Sequence, residues 1–400
     1  MELTHKYLEK LGYSVNTEST NFGEVFLKII TLNDEINNKI SIPFIFYKNE
    51  DALFKFYLNE WNKNEINYFI AVGSDRSYII NAKEKTKRKD ILKSSLIIDN
   101  FDYGTDTIGY KNIKLEKLPY TKENIDNSYF FDYVLKKQKE VKNEVDTYLL
   151  NNLVALKEEL AKFDTDSENI NSLIFKSLFV KYLEDREILT EKSITKVLEE
   201  ENPSALTEMF SDIAVINGDI LKKNLKVTEK HINELKIFYS HDYKEYKKGQ
   251  PNIFYPYKFD KIPIQLVSNV YEEFLGRTNK KEKKSKGIFY TRTFVIDFML
   301  SHTIYPKIEK QFHSTILDPA CGSGAFLVQA FNKILKSQLE KNLSIDEKAD
   351  ILQKQIFGID TDINAVISFK IVTSPKEHSA YCDCKFSKSN NTVVRVVVND

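Results

Sequence analysis

Three cysteines in 400 residues, Cys321, Cys382 and Cys384, cannot build a disulfide framework, so a reducing cytoplasm is the expected compartment. No apolar run approaches the roughly 20 residues that a membrane-crossing helix needs, so no membrane span is expected. The first residues, Met1-Glu2-Leu3-Thr4-His5-Lys6, lack a basic start followed by an apolar stretch, so no secretory leader is expected either. Net charge is absent: 58 basic residues balance 58 acidic ones. A bulk electrostatic footprint for nucleic acid is therefore missing, and only local patches remain open. Proline is sparse, with nine residues of which no two are adjacent.

What is present is apolar material, at 42% hydrophobic and 12% aromatic residues. That suffices for packed cores and excludes a wholly disordered chain. At about 150 residues per domain the length suggests two or three domains.

Residues 1–120 read as a small α+β unit. Glu2 to Leu11 has a helical pattern, and residues 25–30 and 40–47 are β-rich runs. Leu53, Phe54, Tyr57, Leu58 and Trp61 form an i, i+3/i+4 stripe and predict a helix over 51–62. Residues 68–72 and 77–80, joined by Gly73-Ser74-Asp75-Arg76, predict a β-hairpin. The basic cluster Lys83, Lys85, Lys87, Arg88 and Lys89 reads as a solvated loop, with phosphate contact as the alternative.

Residues 121–270 read as a helical domain. Phe175, Leu178, Phe179, Tyr182 and Leu183 share one face of a helix over 169–186. Lys280, Lys281, Lys283, Lys284 and Lys286 read as an exposed linker.

The chemical signal begins near residue 287. Gly287-Ile288-Phe289-Tyr290-Thr291 precedes a helix over 294–304. A short buried strand then ends at Asp318, followed by Pro319-Ala320-Cys321-Gly322-Ser323-Gly324 and a helix from Ala325. Gly322 and Gly324 permit a tight turn and close ligand approach, and the helix start aims its amides at that ligand. Strand, glycine turn and helix make a nucleotide-type crevice at the strand's carboxyl end. A dinucleotide fingerprint needs a third glycine where Leu327 stands, and a P-loop needs Gly-Lys-Ser/Thr, which is absent. Asp318 suits an ammonium group better than a pyrophosphate, which favours S-adenosylmethionine. A second strand, Ile356-Phe357-Gly358-Ile359-Asp360, ends on the same edge, where Asp360 can accept ribose hydroxyls. Between the strands lie two predicted helices, 325–339 and 345–354, the second opened by a Ser344/Glu347 capping box.

Together, Gly-x-Phe-Tyr-Thr, Leu-Asp-Pro-Ala-Cys-Gly-Ser-Gly-x-Phe-Leu and Gly-Ile-Asp-x-Asp resemble the adenine-specific N6 DNA methyltransferases of restriction–modification systems, in particular the Eco57I-like, fused restriction-methylase type. Residues 182–186, 217–219 and 270–275 resemble that subgroup's helical region. The resemblance implies α/β and α architecture: a degenerate nuclease-like α+β domain, a helical middle, and the first part of a Rossmann-like class I methyltransferase fold over 271–370. It implies S-adenosylmethionine as cofactor, held by Phe289, Tyr290, Thr291, Asp318, Pro319, Ala320, Gly322, Gly324 and Asp360, and double-stranded DNA as partner. Arg292 stands where the family has proline. In the nuclease-like part, the triplet that should read Glu-x-Lys is Phe46-Tyr47-Lys48, which has no acid at its first position, and Asp34 is the candidate for the earlier acid, leaving one carboxylate and one lysine. That is a poor Mg²⁺ site, so no metal and no nuclease activity are expected.

The family's target-base element, Asn/Asp-Pro-Pro-Tyr/Phe, needs two adjacent prolines and is missing from these 400 residues. No catalytic residue is therefore assigned, and the chain reads as a truncated methyltransferase, inactive alone; a second chain supplying the missing half, and a frameshift or premature stop, both stay open. The alternatives are a non-catalytic DNA- or partner-binding subunit, or a methyltransferase acting on RNA or protein. Residues 371–400 read as an atypical tail, with Cys382-Asp383-Cys384 and His378 too few for a zinc site and 393–398 as a lone β-prone run.

Overall fold

The structure, a computed structural model, describes residues 2–13, 19–22, 25–33, 39–86, 89–103, 115–187, 189, 193–217, 225–250, 254–263, 266–267, 270, 273–274, 291, 293–310, 315–322, 324–337, 343–360, 381–382, 392–395 and 398–399. The chain divides into two units, 1–148 with 252–261, and 149–251 with 262–400.

The first unit opens with helix α1 (Glu2–Lys10), followed by strands β1 (Ser19–Phe22), β2 (Val25–Asn33) and β3 (Lys39–Tyr47). Helix α2 (Glu50–Lys63) leads to β4 (Tyr68–Val72), β5 (Arg76–Asn81) and β6 (Ile97–Asp102). The six strands lie in sequence order. β3 and β4 are parallel, and every other neighbouring pair is antiparallel. A parallel pair needs a crossover, which α2 provides. Asn49 starts α2 by accepting the Ala52 amide at 2.8 Å, and Asn64 ends it in the left-handed region at φ 57°. Two short helices, α3 (Lys122–Asp126) and α4 (Tyr129–Lys137), come after the sheet.

The sequence pattern predicts two strands before α2; the structure has three. β1 is Ser-Thr-Asn-Phe and carries no apolar alternation to announce it. β6 is likewise added to the expected hairpin.

The core of this unit is aromatic and partly polar. The Tyr7 hydroxyl lies 2.9 Å from that of Tyr103 and 3.1 Å from that of Tyr120, and Ser77 also bonds Tyr120. Burial pushes the Tyr120 phenol up to about 12, so the network stays neutral and hydrogen-bonded. Such a network stabilises only if every member is satisfied.

The segment 254–259 closes the unit. Buried Asn62 donates to the Pro256 carbonyl at 3.0 Å and accepts the Lys258 amide at 2.9 Å. Replacing Asn62 by alanine strands both backbone groups, and should cost about 2 kcal/mol. Hydrogen exchange would read it as a faster Lys258 amide; unchanged exchange would refute the pinning role.

The solvated-loop reading of the basic cluster needs correcting at two positions. Lys85 is buried, with its ammonium 4.5 Å from the Tyr148 ring centre and 5.3 Å from that of Phe254. Lys83 donates to the Asn64 carbonyl at 2.6 Å, and burial pulls its ammonium below the usual range. Lys87 and Arg88 lie outside the described residues.

The second unit is mostly helical. The boundary falls inside α5 (Val145–Leu160), which precedes α6 (Ser167–Asp185), α7 (Ile194–Glu199), α8 (Pro203–Asn217), α9 (Glu229–Ser240) and α10 (Tyr243–Lys247). On α6, Leu178, Phe179, Tyr182 and Leu183 are buried and Phe175 is half-buried, but burial is not confined to that one face: Ile170, Leu173, Ile174, Lys176, Ser177 and Val180 are buried too. Arg186, at the end of α6, lies over the Tyr182 ring at 4.5 Å and donates to the Ile262 carbonyl at 2.9 Å.

The remaining elements are α11 (Thr293–Thr303), α12 (Tyr305–Lys310), β7 (Ile316–Asp318), α13 (Ala325–Ser337), α14 (Ile345–Gln355), β8 (Ile356–Asp360), β9 (Tyr381–Cys382), β10 (Thr392–Arg395) and β11 (Val398–Asn399). Ser344 and Glu347 form the expected capping box of α14. β7 and β8 are parallel. The β-prone run near residue 393 is not alone: β10 pairs antiparallel with β8 through Thr392↔Asp360 and Val393↔Ile359, giving the order β10-β8-β7. Ile316, Ile356, Leu327, Val328, Ile334 and Leu352 pack into one core. Leu317, on the opposite face of β7 by the two-residue strand period, is 56% exposed.

Candidate cofactor site

Strand β7 stops at Asp318, whose own carboxylate helps to end it. Its Oδ1 accepts the Ala320 amide at 3.0 Å, an Asx turn that bends the chain off the strand. The loop then passes through Gly322 at φ 52° and Gly324 at φ 81°. Both angles are left-handed, a region that side chains with a Cβ rarely adopt. The Gly324 amide closes the turn on the Cys321 carbonyl at 2.7 Å, and the Val328 amide bonds the Gly324 carbonyl at 2.8 Å. Helix α13 therefore begins directly at the second glycine. Its first-turn amides, which have no carbonyl within the helix to bond, lie beside the loop.

The loop is fixed to the neighbouring strand as well. The Cys321 amide donates to the Ile359 carbonyl of β8 at 2.9 Å. In the parallel ladder Asp318 faces Gly358. Asp360, the last residue of β8, therefore lies two positions further along, roughly 7 Å at the usual strand rise. Two acids thus occupy the carboxyl ends of adjacent parallel strands, Asp318 at the start of the glycine loop and Asp360 at the end of β8.

Asp318 is half-buried, Pro319 and Ala320 are exposed, and Gly324 is buried. Thr291 is half-buried and stands two residues before α11. Phe289 and Tyr290 lie outside the described residues. Sequence alone singles out neither Gly358 nor Cys321 for a role, although Gly358 belongs to the Gly-Ile-Asp motif. Nor does it mark Arg186 as the tie between α6 and residue 262.

The donor set suits some ligands and not others. Carboxylates, backbone amides and glycine space serve an ammonium, ribose hydroxyls and a close-lying backbone contact. The loop 318–327 contains no lysine or arginine, so it offers no side-chain cation to a phosphate chain. S-adenosylmethionine, which has an amino group, a ribose and no phosphate, fits these residues. Among the described residues there is no group of three or more His, Cys, Asp or Glu able to hold a metal.

A cavity of about 700 Å³ lies elsewhere in the second unit, beside Phe163, Asp164, Lys226, Thr228 and His231. Its polar groups bond one another. His231 Nε2 lies 3.1 Å from the Asp164 carboxylate, and its Nδ1 accepts the Thr228 amide at 3.1 Å. Asn169 bonds the Lys226 backbone in both directions, at 2.9 and 3.0 Å. Burial pushes Asp164 up, but hydrogen bonds from Asn169, the Asp166 amide and His231 outweigh it and hold the carboxyl below its usual range. These bonds staple the start of α9, which is a structural task.

Residues 263–368 match the family described as N-6 DNA methylase. The type II restriction enzyme and methyltransferase RM.Eco57I of Escherichia coli is 24% identical over 358 residues, covering 74% of this chain and 34% of that one. RM.BcgI of Heyndrickxia coagulans is 49% identical over 97 residues, covering 24% of this chain and 14% of its own. The chain spans about a third of RM.Eco57I and less of RM.BcgI. A solved structure, the type IIG restriction endonuclease BpuSI, aligns with 93% of this chain and 39% of its own at TM-score 0.33 and 12% identity, too slight a likeness to support a statement about fold.

Proposed function

We propose that this chain, through residues 263–368 a member of the N-6 DNA methylase family found in restriction–modification systems, serves site-specific methylation of adenine N6 in double-stranded DNA, with S-adenosylmethionine as donor. The observation that carries this reading is the left-handed glycine loop between β7 and α13, clamped by the Cys321 amide onto β8. Asp318 holds the amino group of the donor. Gly322 and Gly324 give its sugar and methionine parts room against the backbone, and Pro319 and Ala320 shape the turn between them. Asp360 takes the ribose hydroxyls. Phe289, Tyr290 and Thr291 complete the methionine side. When bound, S-adenosylmethionine supplies an electrophilic methyl group; these residues bind and orient it. Isothermal calorimetry tests the reading: the chain takes up S-adenosylmethionine or S-adenosylhomocysteine and ignores NAD. Uptake of NAD alone would overturn it.

The step on the base calls for more than these residues. The family's Asn/Asp-Pro-Pro-Tyr/Phe element is not in this sequence, whose nine prolines are never adjacent. We therefore expect these 400 residues by themselves to move no labelled methyl group onto duplex DNA. Incorporation of label by the purified chain alone would contradict this. The same observation favours a second reading, a DNA- or partner-binding subunit without catalysis. A gel shift of duplex DNA without added donor, together with no calorimetric uptake of the donor, would select it. No helix among the described residues is long and apolar enough to cross a membrane.

A further inference from the structure

We propose that Gly358 is a positioning residue for the donor loop: the side chain it lacks is the slot that seats Cys321 against β8. The proposal rests on the reading of 318–324 as the donor site and adds what sets the loop's height over the sheet.

Gly358 lies in the middle of β8, not in a turn, and nothing in its extended backbone calls for glycine. A strand interior normally disfavours glycine, which has no side chain to pack and loses the most entropy on ordering. Space supplies the reason. A Cβ at position 358 would lie 2.8 Å from Cys321 Sγ, 2.9 Å from Leu327 Cδ1 and 3.1 Å from Cys321 Cβ. All three are far inside ordinary carbon–carbon or carbon–sulfur contact, which begins near about 3.5 Å.

The neighbours have little room to yield. Cys321 is 6% exposed, and its own amide is bonded to Ile359, the residue after Gly358. Leu327 is buried on the first turn of α13. β8 is paired on one side to β7 and on the other to β10, so it is the less mobile partner. An added methyl therefore moves the loop rather than the strand. Gly358 also faces Asp318 across the ladder, so the displaced loop carries the carboxylate and both glycines with it. One glycine thus governs the seat of the whole segment from Asp318 to Gly324, through packing and without touching the donor.

Two readouts on the full chain test this. In Gly358→Ala, affinity for S-adenosylhomocysteine measured by calorimetry should fall at least tenfold. Cys321, buried in the native chain and therefore expected to react slowly with iodoacetamide, should react at least tenfold faster in the variant when followed by peptide mass spectrometry. The double variant Cys321→Gly/Gly358→Ala removes two of the three close contacts, those to Cys321 Sγ and Cβ, and leaves the one to Leu327, so it should recover part of the affinity lost by Gly358→Ala. A merely destabilised domain would not recover in this way. Circular dichroism confirms that each variant remains folded. Native-like Cys321 reactivity in Gly358→Ala overturns the proposal whether or not the native chain binds the donor. Native-like affinity, or no recovery in the double variant, overturns it too. Failure of the native chain itself to bind donor overturns the donor-site reading, while the alkylation rates still decide the packing role of Gly358.

Discussion

Asp318→Ala is expected to lower affinity for S-adenosylmethionine by roughly 10- to 150-fold, the equivalent of losing a charge-assisted hydrogen bond of about 1.5–3 kcal/mol. Two effects combine. The carboxylate loses the pairing with the donor's ammonium that the proposed function assigns to it, and the Ala320 amide loses the acceptor that bends the loop off β7. Asp318→Asn separates them, because its side-chain oxygen can still accept the Ala320 amide while the charge is gone. If charge is what binds, Asp318→Asn behaves nearly like alanine in calorimetry. If the turn is what matters, it behaves nearly like the native chain. Native-like affinity in both variants would remove Asp318 from the site.

Trp61→Ala should destabilise the first unit by about 3–5 kcal/mol, the usual cost of emptying a large aromatic site in a packed core. Trp61 is 0% exposed and its indole donates to the Asn143 carbonyl at 3.1 Å. Its ring meets Tyr148 edge-on with centroids 6.1 Å apart and stacks on Tyr257 at 6.4 Å. Truncation leaves a void, a carbonyl stripped of its indole donor and two aromatic rings that have lost a large neighbour. A loss of under about 1 kcal/mol in urea unfolding followed by circular dichroism would contradict this. Trp61 is also the sole tryptophan, so its fluorescence in the native chain reports on the first unit alone, while circular dichroism sums both units. The two unfolding curves should separate if the units unfold independently.

The elements legible in the sequence are those whose cause is local. The stripe of Leu53, Phe54, Tyr57 and Trp61 sets its own period, and Ser344 with Glu347 caps its own helix. The stretch from Asp318 to Gly324 is legible because two glycines and an Asx turn act within seven residues. What escapes notice depends on partners distant in the chain. Lys83 and Lys85 look solvated until Asn64, Tyr148 and Phe254 are placed beside them. Ser19–Phe22 becomes a strand only because β2 offers it an edge. Thr392–Arg395 has β propensity in plain view, but its pairing with β8 is a tertiary fact. Gly358 reads as one letter of a motif until the distance to Cys321 shows why no larger residue fits.

The return of residues 252–261 to the first unit has a consequence for synthesis. Tyr257, which stacks on Trp61, and Lys258, which bonds Asn62, emerge from the ribosome about two hundred residues after those partners. At about 5–20 residues per second, the nascent N-terminal half waits on the order of ten seconds or more with an incomplete aromatic wall. In that interval it is open to chaperones and proteases. A polypeptide ended near residue 150 would remain in that state permanently.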